Sequence, residues 1–413
     1  MRIPAGRREP GVGSEVTGEG VPDGGRPMCG RVSLTRGIRR FCPPERGWWP
    51  GCALLVPLVL ALGCAPPAAD LVLLNGRVFT ADPARPWAEA LAIRGDRIVA
   101  VGTSAETAAL ASEGTSTRDL DGRTVIPGLD DAHVVDPGGE APELVPFSRA
   151  ALASGVTSMQ WFVGARPVKD AAQALVDADL PIRFRVFRMP RLGADGETID
   201  SRPHLPPQPT LRVDVRGMGF RLAGVDEARI RQAVGWAYAT EDLLAIEPAD
   251  ADALGHYLRA VETTGLAEIW RRKRPRVERP GADGAAIASR LAASGMVAVV
   301  WPDGNVPLAS LVKAGVTLAL ATGHGGRPFD AVAWAVSTDR GAEALTVEQA
   351  ITAFTRGAAH AELADRDKGR LSVGALADLA VLSADPFTVP RGEISGTRSV
   401  LTIIGGRVVH DVP

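Results

Sequence analysis

The string Gly323-His324-Gly325-Gly326 has the composition of a loop whose backbone N–H groups can cradle an anion. An ordinary turn between a strand and a helix has the same composition. The turn is the preferred reading, which makes His324 a loop residue. His204 sits in the irregular Pro203-His204-Leu205-Pro206-Pro207 and reads as exposed, and His360 lies on a helical stretch and reads as structural. The basic run Arg271-Arg272-Lys273-Arg274 followed by Arg276 could meet nucleic acid, but reads as a solvated helix end. A formal net charge of -2 gives no global pull towards nucleic acid. The chain has no Gly-x-Ser-x-Gly elbow and no Gly-x-x-x-x-Gly-Lys-Ser/Thr phosphate loop. Its four cysteines, Cys29, Cys42, Cys52 and Cys64, all fall within the first 64 residues. Disulfides and thiolate-bound zinc are therefore excluded from the rest of the chain.

The cysteine-bearing segment reads as an export signal. Arg39, Arg40 and Arg46 precede an apolar run from Cys52 to Leu62, which ends in Gly63-Cys64. A basic flank, a short apolar core and a small residue before the cut describe a secretory leader. The run is shorter than the roughly 20 residues needed to span a bilayer. Leu60-Ala61-Leu62-Gly63-Cys64 resembles a bacterial lipobox, in which the cysteine becomes the lipidated first residue of the mature protein. Ala65 follows, not aspartate, so the expected destination is the outer membrane. Residues 1–64 are thus read as a leader, with Met28 as a start that would leave 1–27 untranslated.

After the leader come β-hairpin signals. Leu71–Leu74 is followed by Asn75-Gly76 and Arg77-Val78-Phe79-Thr80, and Ala90-Leu91-Ala92-Ile93 by Arg94-Gly95-Asp96 and a second apolar run. Similar text returns at 379–382 and 400–409, around Gly405-Gly406. Between these ends, strand-like strings at 124–126, 156–162, 182–187, 217–222, 243–246, 276–278, 296–301 and 316–321 alternate with helical stretches at 142–154, 168–178, 226–238, 250–263, 285–294 and 307–314. Eight such units in one run predict an α/β fold, a closed (β/α)8 barrel of the TIM type with its chemistry at the C-terminal strand ends. The expected division is a barrel over 127–369. Residues 65–126 and 370–413, from both ends of the mature chain, form a small flanking β-sandwich-like domain.

Three strings give this frame a family likeness. Pro127-Gly128-Leu129-Asp130-Asp131-Ala132-His133 resembles the Pro-Gly-x-x-Asp-x-His-x-His opening of the amidohydrolase superfamily barrel. Gly369-Arg370-Leu371-Ser372-Val373-Gly374-Ala375-Leu376-Ala377-Asp378-Leu379-Ala380-Val381-Leu382 is similar to its Gly-x-Leu-x-x-Gly-x-x-Ala-Asp-Leu-x-Val-Leu exit. Asn75-Gly76-Arg77-Val78 matches its usual first hairpin, and the details are most similar to the amidohydrolase-3 group. The resemblance implies hydrolysis of amide or related C–N bonds. A divalent metal would lower the pKa of water and polarise the carbonyl, and a final aspartate would move the proton.

Position by position, the ligands the resemblance implies are missing. The His-x-His of strand 1 reads His133-Val134-Val135, which keeps one ligand. The lysine of strand 4 aligns with Arg221, and the histidine of strand 5 with Glu247, which could still ligate a hard metal. The histidine of strand 6 aligns with Arg279, and the aspartate of strand 8 with Gly323, next to His324. Asp130 or Asp131 could add a carboxylate. An arginine about 4 Å from a dication repels it by roughly 8 kcal/mol at an effective dielectric of 20. The expectation is a degenerate, non-catalytic barrel that acts by binding a ligand or partner at Arg221, Glu247, Arg279 and His324: either Arg221 and Arg279 flank Glu247 and replace the metal as the glue of the pocket, or their excess positive charge holds an anionic small molecule such as a carboxylate or phosphate. It would act as a pseudoenzyme on the cell surface, with membrane contact through a lipid on Cys64 and no nucleic-acid partner. Two alternatives stand beside it: an active hydrolase with one zinc or other divalent ion on His133, Glu247 and an aspartate, and a product without selected function.

Overall fold

A computed structural model describes residues 68–164, 166–189, 212–240 and 242–412. All of them belong to the unit Gly63–Pro413; the leader with Cys64, and His204, lie outside the described residues. Eight strands form one parallel sheet in chain order: β1 (Leu129–Val135), β2 (Val156–Val163), β3 (Arg183–Arg188), β4 (Val213–Arg221), β5 (Leu243–Glu247), β6 (Arg276–Glu278), β7 (Val297–Val300) and β8 (Thr317–Leu320). A parallel bridge between Val134 and Gly323 closes the ring. There Gly323 N donates to His133 O (3.1 Å) and Val135 N to Gly323 O (3.4 Å). Helices follow the strands, as at Glu227–Ala239 and Ala251–Thr263. Asp226 and Asp250 start these two by accepting hydrogen bonds from the backbone of Arg229 and Ala253.

Strand alternation sorts the side chains. On β5 to β8, Leu244, Ile246, Val277, Ala298, Val300, Leu318 and Leu320 point outward into the main core beneath the helices. Leu243, Ala245, Arg276, Glu278, Val297, Val299 and Ala319 take the opposite positions and fill the barrel.

Two flanking sheets share one core. Arg97–Gly102, Ala90–Arg94, Leu71–Leu74 and Ser116–Asp119 form the first; Arg407–Asp411, Ser399–Ile404, Leu379–Leu382, Thr124–Pro127, Arg77–Phe79 and Trp87–Ala88 form the second. Leu73, Leu91 and Ile93 of one pack with Val78, Val125, Leu379 and Ile403 of the other.

Two local expectations need correction. The string 124–126 is not a barrel strand: Thr124–Pro127 pairs with Leu379–Leu382 and Arg77–Phe79 in the flanking sheet. The first barrel strand is β1, disguised by the polar residues Asp130, Asp131 and His133, all buried. Asn75-Gly76 is not a hairpin turn either, because Leu71–Leu74 and Arg77–Phe79 belong to different sheets. Asn75 adopts φ 56°, and a Cβ on Gly76 would lie 2.5 Å from Leu120, so the pair carries the chain from one sheet to the other. The hairpins at Ala90–Gly102 and 399–411 form as antiparallel pairs.

Candidate functional site

At the C-terminal ends of the strands, where the sequence placed metal ligands, the barrel is filled by rings. His133 on β1 stacks between Phe162 of β2 (centroids 4.0 Å, 20°) and Trp301, just past β7 (4.5 Å, 27°). Phe162 stacks in turn on Phe187 of β3 (4.6 Å, 9°). The stack needs small neighbours and has them. A Cβ on Gly217 of β4 would overlap Phe187, one on Gly219 would lie 2.9 Å from Phe162, and one on Gly323 would lie 2.7 Å from Trp301.

Beneath the stack lies a buried polar chain. His133 Nδ1 donates to Glu278 Oε2 (2.8 Å), and Arg276 Nε donates to Glu278 Oε1 (2.9 Å). Arg276 also donates to Gln160 Oε1 and to Ala132 O (2.7 Å), with its guanidinium 4.9 Å from the Phe187 centroid. Burial alone would raise the Glu278 pKa, but Arg276 and then His133 outweigh it and hold the carboxyl below its usual value. Deeper in the barrel, Lys368 Nζ donates to Asp130 (2.9 Å) and Ser158 and pairs with Glu362, which also meets Arg185 (3.1 Å). Asp131 accepts from Thr322 N (2.9 Å) and from the Thr322 hydroxyl and, among the described residues, meets no cation; burial pushes its pKa up to about 7.

The rim carries a second charged group. Arg221 Nε donates to Glu247 Oε2 (2.8 Å), while Arg279 donates to Glu247 Oε1 and to Asp303. Arg221 ends the inward row of β4 after Gly217 and Gly219, and Glu247 ends that of β5 after Leu243 and Ala245. Arg279 follows inward-facing Glu278 and should point outward. Its φ of 53° breaks the alternation and brings it to the rim, where its guanidinium lies 5.0 Å from the Trp301 centroid. Glu247 is largely covered (12% exposed), whereas Arg221 (58%) and Asp303 (57%) face solvent.

The donor set does not fit a divalent metal. Among the described residues, no three His, Cys, Asp or Glu side chains converge in a way that could hold one. His133 is bonded to Glu278 at Nδ1 and covered by rings on both faces, and Glu247 is engaged by two guanidinium groups. Asp130 and Asp131 are taken by Lys368 and Thr322.

The predicted positions therefore separate. Arg221, Glu247 and Arg279 meet at the rim; His133 sits below, on a different partner. His324 is exposed in its loop, and Gly323 serves as the closing bridge of the barrel. Reading the string Arg276-Val277-Glu278-Arg279 at its last residue missed Glu278, the partner of His133. The alternation of charge around Val277 was the available signal, since residues two apart on a strand share a face.

Comparison with known proteins agrees with this frame. A family model described as "Amidohydrolase family" matches residues 149–410, well over half the chain, and begins after β1, so His133 lies outside the match. Protein LONG AFTER FAR-RED 3 of Arabidopsis thaliana is 44% identical over 72 residues, 17% of this chain and 12% of that protein. An N-substituted formamide deformylase of Arthrobacter pascens is 36% identical over 86 residues, 21% of this chain and 16% of that one. The chain thus matches less than a fifth of the length of either. Among solved structures, atrazine chlorohydrolase TrzN of Arthrobacter aurescens TC1, complexed with zinc, superposes with a TM-score of 0.64 at 20% identity, covering 83% of this chain and 95% of that one. A triazine hydrolase variant gives 0.64 at 19%, with 83% and 94% covered. At these identities the likeness is one of fold.

Proposed function

The chain belongs to the amidohydrolase family, and from that premise we propose that it is a non-metallic member that binds a small anion at the barrel rim. Its scaffold is one on which hydrolases of non-peptide C–N bonds are built. The observation that carries the reading is the Trp301-His133-Phe162-Phe187 stack, which takes up the strand-end space with its single imidazole tied to Glu278. In place of metal, Arg221 and Arg279 grip Glu247 and hold β4, β5 and β6 together at the rim. Asp303 is the exposed, exchangeable partner of Arg279. An incoming carboxylate takes its place there, on a guanidinium already set by Glu247 and Trp301. The lipid expected on Cys64 would present this rim at the outer membrane.

Metal analysis of the purified protein, together with hydrolysis assays on N-acyl and cyclic-amide substrates, tests the reading. The expected result is substoichiometric metal, no chelator-sensitive hydrolysis, and thermal stabilisation by acetate or succinate. That stabilisation should strengthen in Asp303→Asn and disappear in Arg279→Ala. Stoichiometric zinc that a chelator removes together with activity overturns it. For the anchor, Cys64→Ser should move the protein from the membrane fraction to the soluble fraction; retention in the membrane would rule out lipidation at that residue.

A further inference from the structure

Two adjoining cavities lie away from the rim, near the start of β8. The helix Val347–Thr352 runs into a π-helical turn, Ala353–Gly357. Glu348, Thr352 and Arg356, four residues apart, line two adjoining cavities. One, of about 420 Å³, is walled by Val312, Val316, Leu318 and Ala353; the other, of about 260 Å³, by Phe79 and Trp87. Thr317, the first residue of β8, lines the larger cavity, whereas Gly323 sits at the rim. Six residues of extended chain separate the two by roughly 20 Å.

Arg356 is the unexplained group. It is half-buried, yet among the described residues it makes no hydrogen bond and no ion pair. The arginines of the barrel behave otherwise: Arg183, Arg185, Arg188, Arg276 and Arg279 each meet a carboxylate. A partly desolvated guanidinium without a partner is costly. Its backbone is also fixed in place. The π turn packs onto β8 at Gly357, where a Cβ would overlap the Leu318 carbonyl oxygen, and Thr355 Oγ1 donates back to Ile351 O (2.8 Å). π turns recur at functional sites because they re-aim a helical side chain. One turn on, His360 lines the same cavity and is held by Asp365 at 3.1 Å.

We propose that this cleft binds an organic monocarboxylate, its carboxylate on Arg356 and its apolar body along Val312, Val316 and Leu318. Glu348, exposed on the same stripe, opposes a second negative charge and so disfavours dianions.

Calorimetric titration of the full chain with octanoate, 4-phenylbutyrate and the neutral octanamide tests the proposal. At least one of the two acids should bind saturably, about ten-fold or more tighter than octanamide. Arg356→Gln should weaken the acid by at least about ten-fold and leave octanamide unchanged, and Arg356→Lys should restore part of the loss. Arg279→Ala, at the rim, should leave this binding intact. The proposal is overturned if neither acid binds, if Arg356→Gln binds it as tightly, or if Arg279→Ala abolishes it. This last result would transfer the carboxylate to the rim.

Discussion

At the scale of single residues, the interior depends on carboxylates placed for two different reasons. Glu278 carries the charge that lets Arg276 and His133 be buried together; all three are 2% exposed or less. Glu278→Ala leaves a buried guanidinium without its carboxylate, which should cost about 3–5 kcal/mol. Urea unfolding checks this, and Glu278→Gln, which keeps an acceptor, should cost less; a loss below about 1 kcal/mol for the alanine variant would mean that the pair is not structural. Asp131 is the opposite case, a buried carboxyl with hydroxyl and amide partners but, among the described residues, no cation. Its native pKa of about 7 lies above the ordinary aspartate value of 3.8. Between those values the native state holds a proton that the unfolded chain has released. Asp131 therefore contributes stability that is full below pH 4 and lost as pH rises through 7. Asp131→Asn keeps an acceptor for Thr322 N and supplies a donor for the Thr322 hydroxyl. It should raise the unfolding free energy at pH 8 by about 1–3 kcal/mol and flatten its fall between pH 5 and 8. An unchanged slope across that window would refute the assignment.

At the scale of elements, the inward rows decide what the barrel can hold. Trp301 continues the row Val297, Val299 of β7 by one step and reaches over Gly323, whose φ is 80°. Gly323→Asp, which puts a carboxylate at the closing bridge of the barrel, should not create a metal site. Its Cβ would lie 2.7 Å from the Trp301 ring, on a backbone conformation that disfavours side chains. The expected loss is about 2–4 kcal/mol in thermal unfolding, with zinc content unchanged; a stable, zinc-loaded variant would show that the rings yield. Much of this frame is legible in the sequence, because apolar runs such as Val297–Val300 alternate with capped helices and announce barrel strands. β1 was not legible by hydrophobicity, since its aspartates and histidine are satisfied by distant residues: Lys368, Thr322 and Glu278. Asn75-Gly76 shows the same limit, for local turn chemistry cannot say to which sheet the next strand belongs. The family resemblance put Arg221 and Glu247 at strand ends, and their meeting follows from adjacent strands in register: Arg221 pairs with Glu247 across β4 and β5. The ring stack draws on four strands at once, and no single segment carries its signal.

At the scale of the molecule, the family's exit motif has a physical task that does not involve chemistry. Asp378, in Ala377-Asp378-Leu379, accepts from Arg183 Nε (2.7 Å) and Nη2 (3.0 Å) on β3 and from Gly405 N (2.7 Å). Both side chains are nearly inaccessible (6% and 4% exposed). Nearby, Ser399 N donates to Ala153 O (2.9 Å) and Thr402 Oγ1 to Leu152 O (2.7 Å). Ten residues before Asp378, Lys368 reaches into the barrel itself, onto Asp130 and Glu362. The C-terminal segment therefore supplies charges to the barrel floor: Asp378 for Arg183, and Lys368 for Asp130 and Glu362. This coupling gives the exit motif a task of its own, since its aspartate serves the frame. Asp378→Ala should cost about 3–5 kcal/mol, as removing one partner of a buried pair does. For a domain of this size the midpoint should fall by on the order of 5–10 °C. If the pair couples the sheets to the barrel, unfolding stays one cooperative transition, and hydrogen exchange speeds up together at Arg183–Arg188 and Leu379–Leu382. Faster exchange at Leu379–Leu382 alone would mean that the pair only anchors the strand. The loss should also be insensitive to salt, because a pair this deeply buried is little screened, whereas the exposed Arg221–Glu247 contact at the rim should weaken as ionic strength rises.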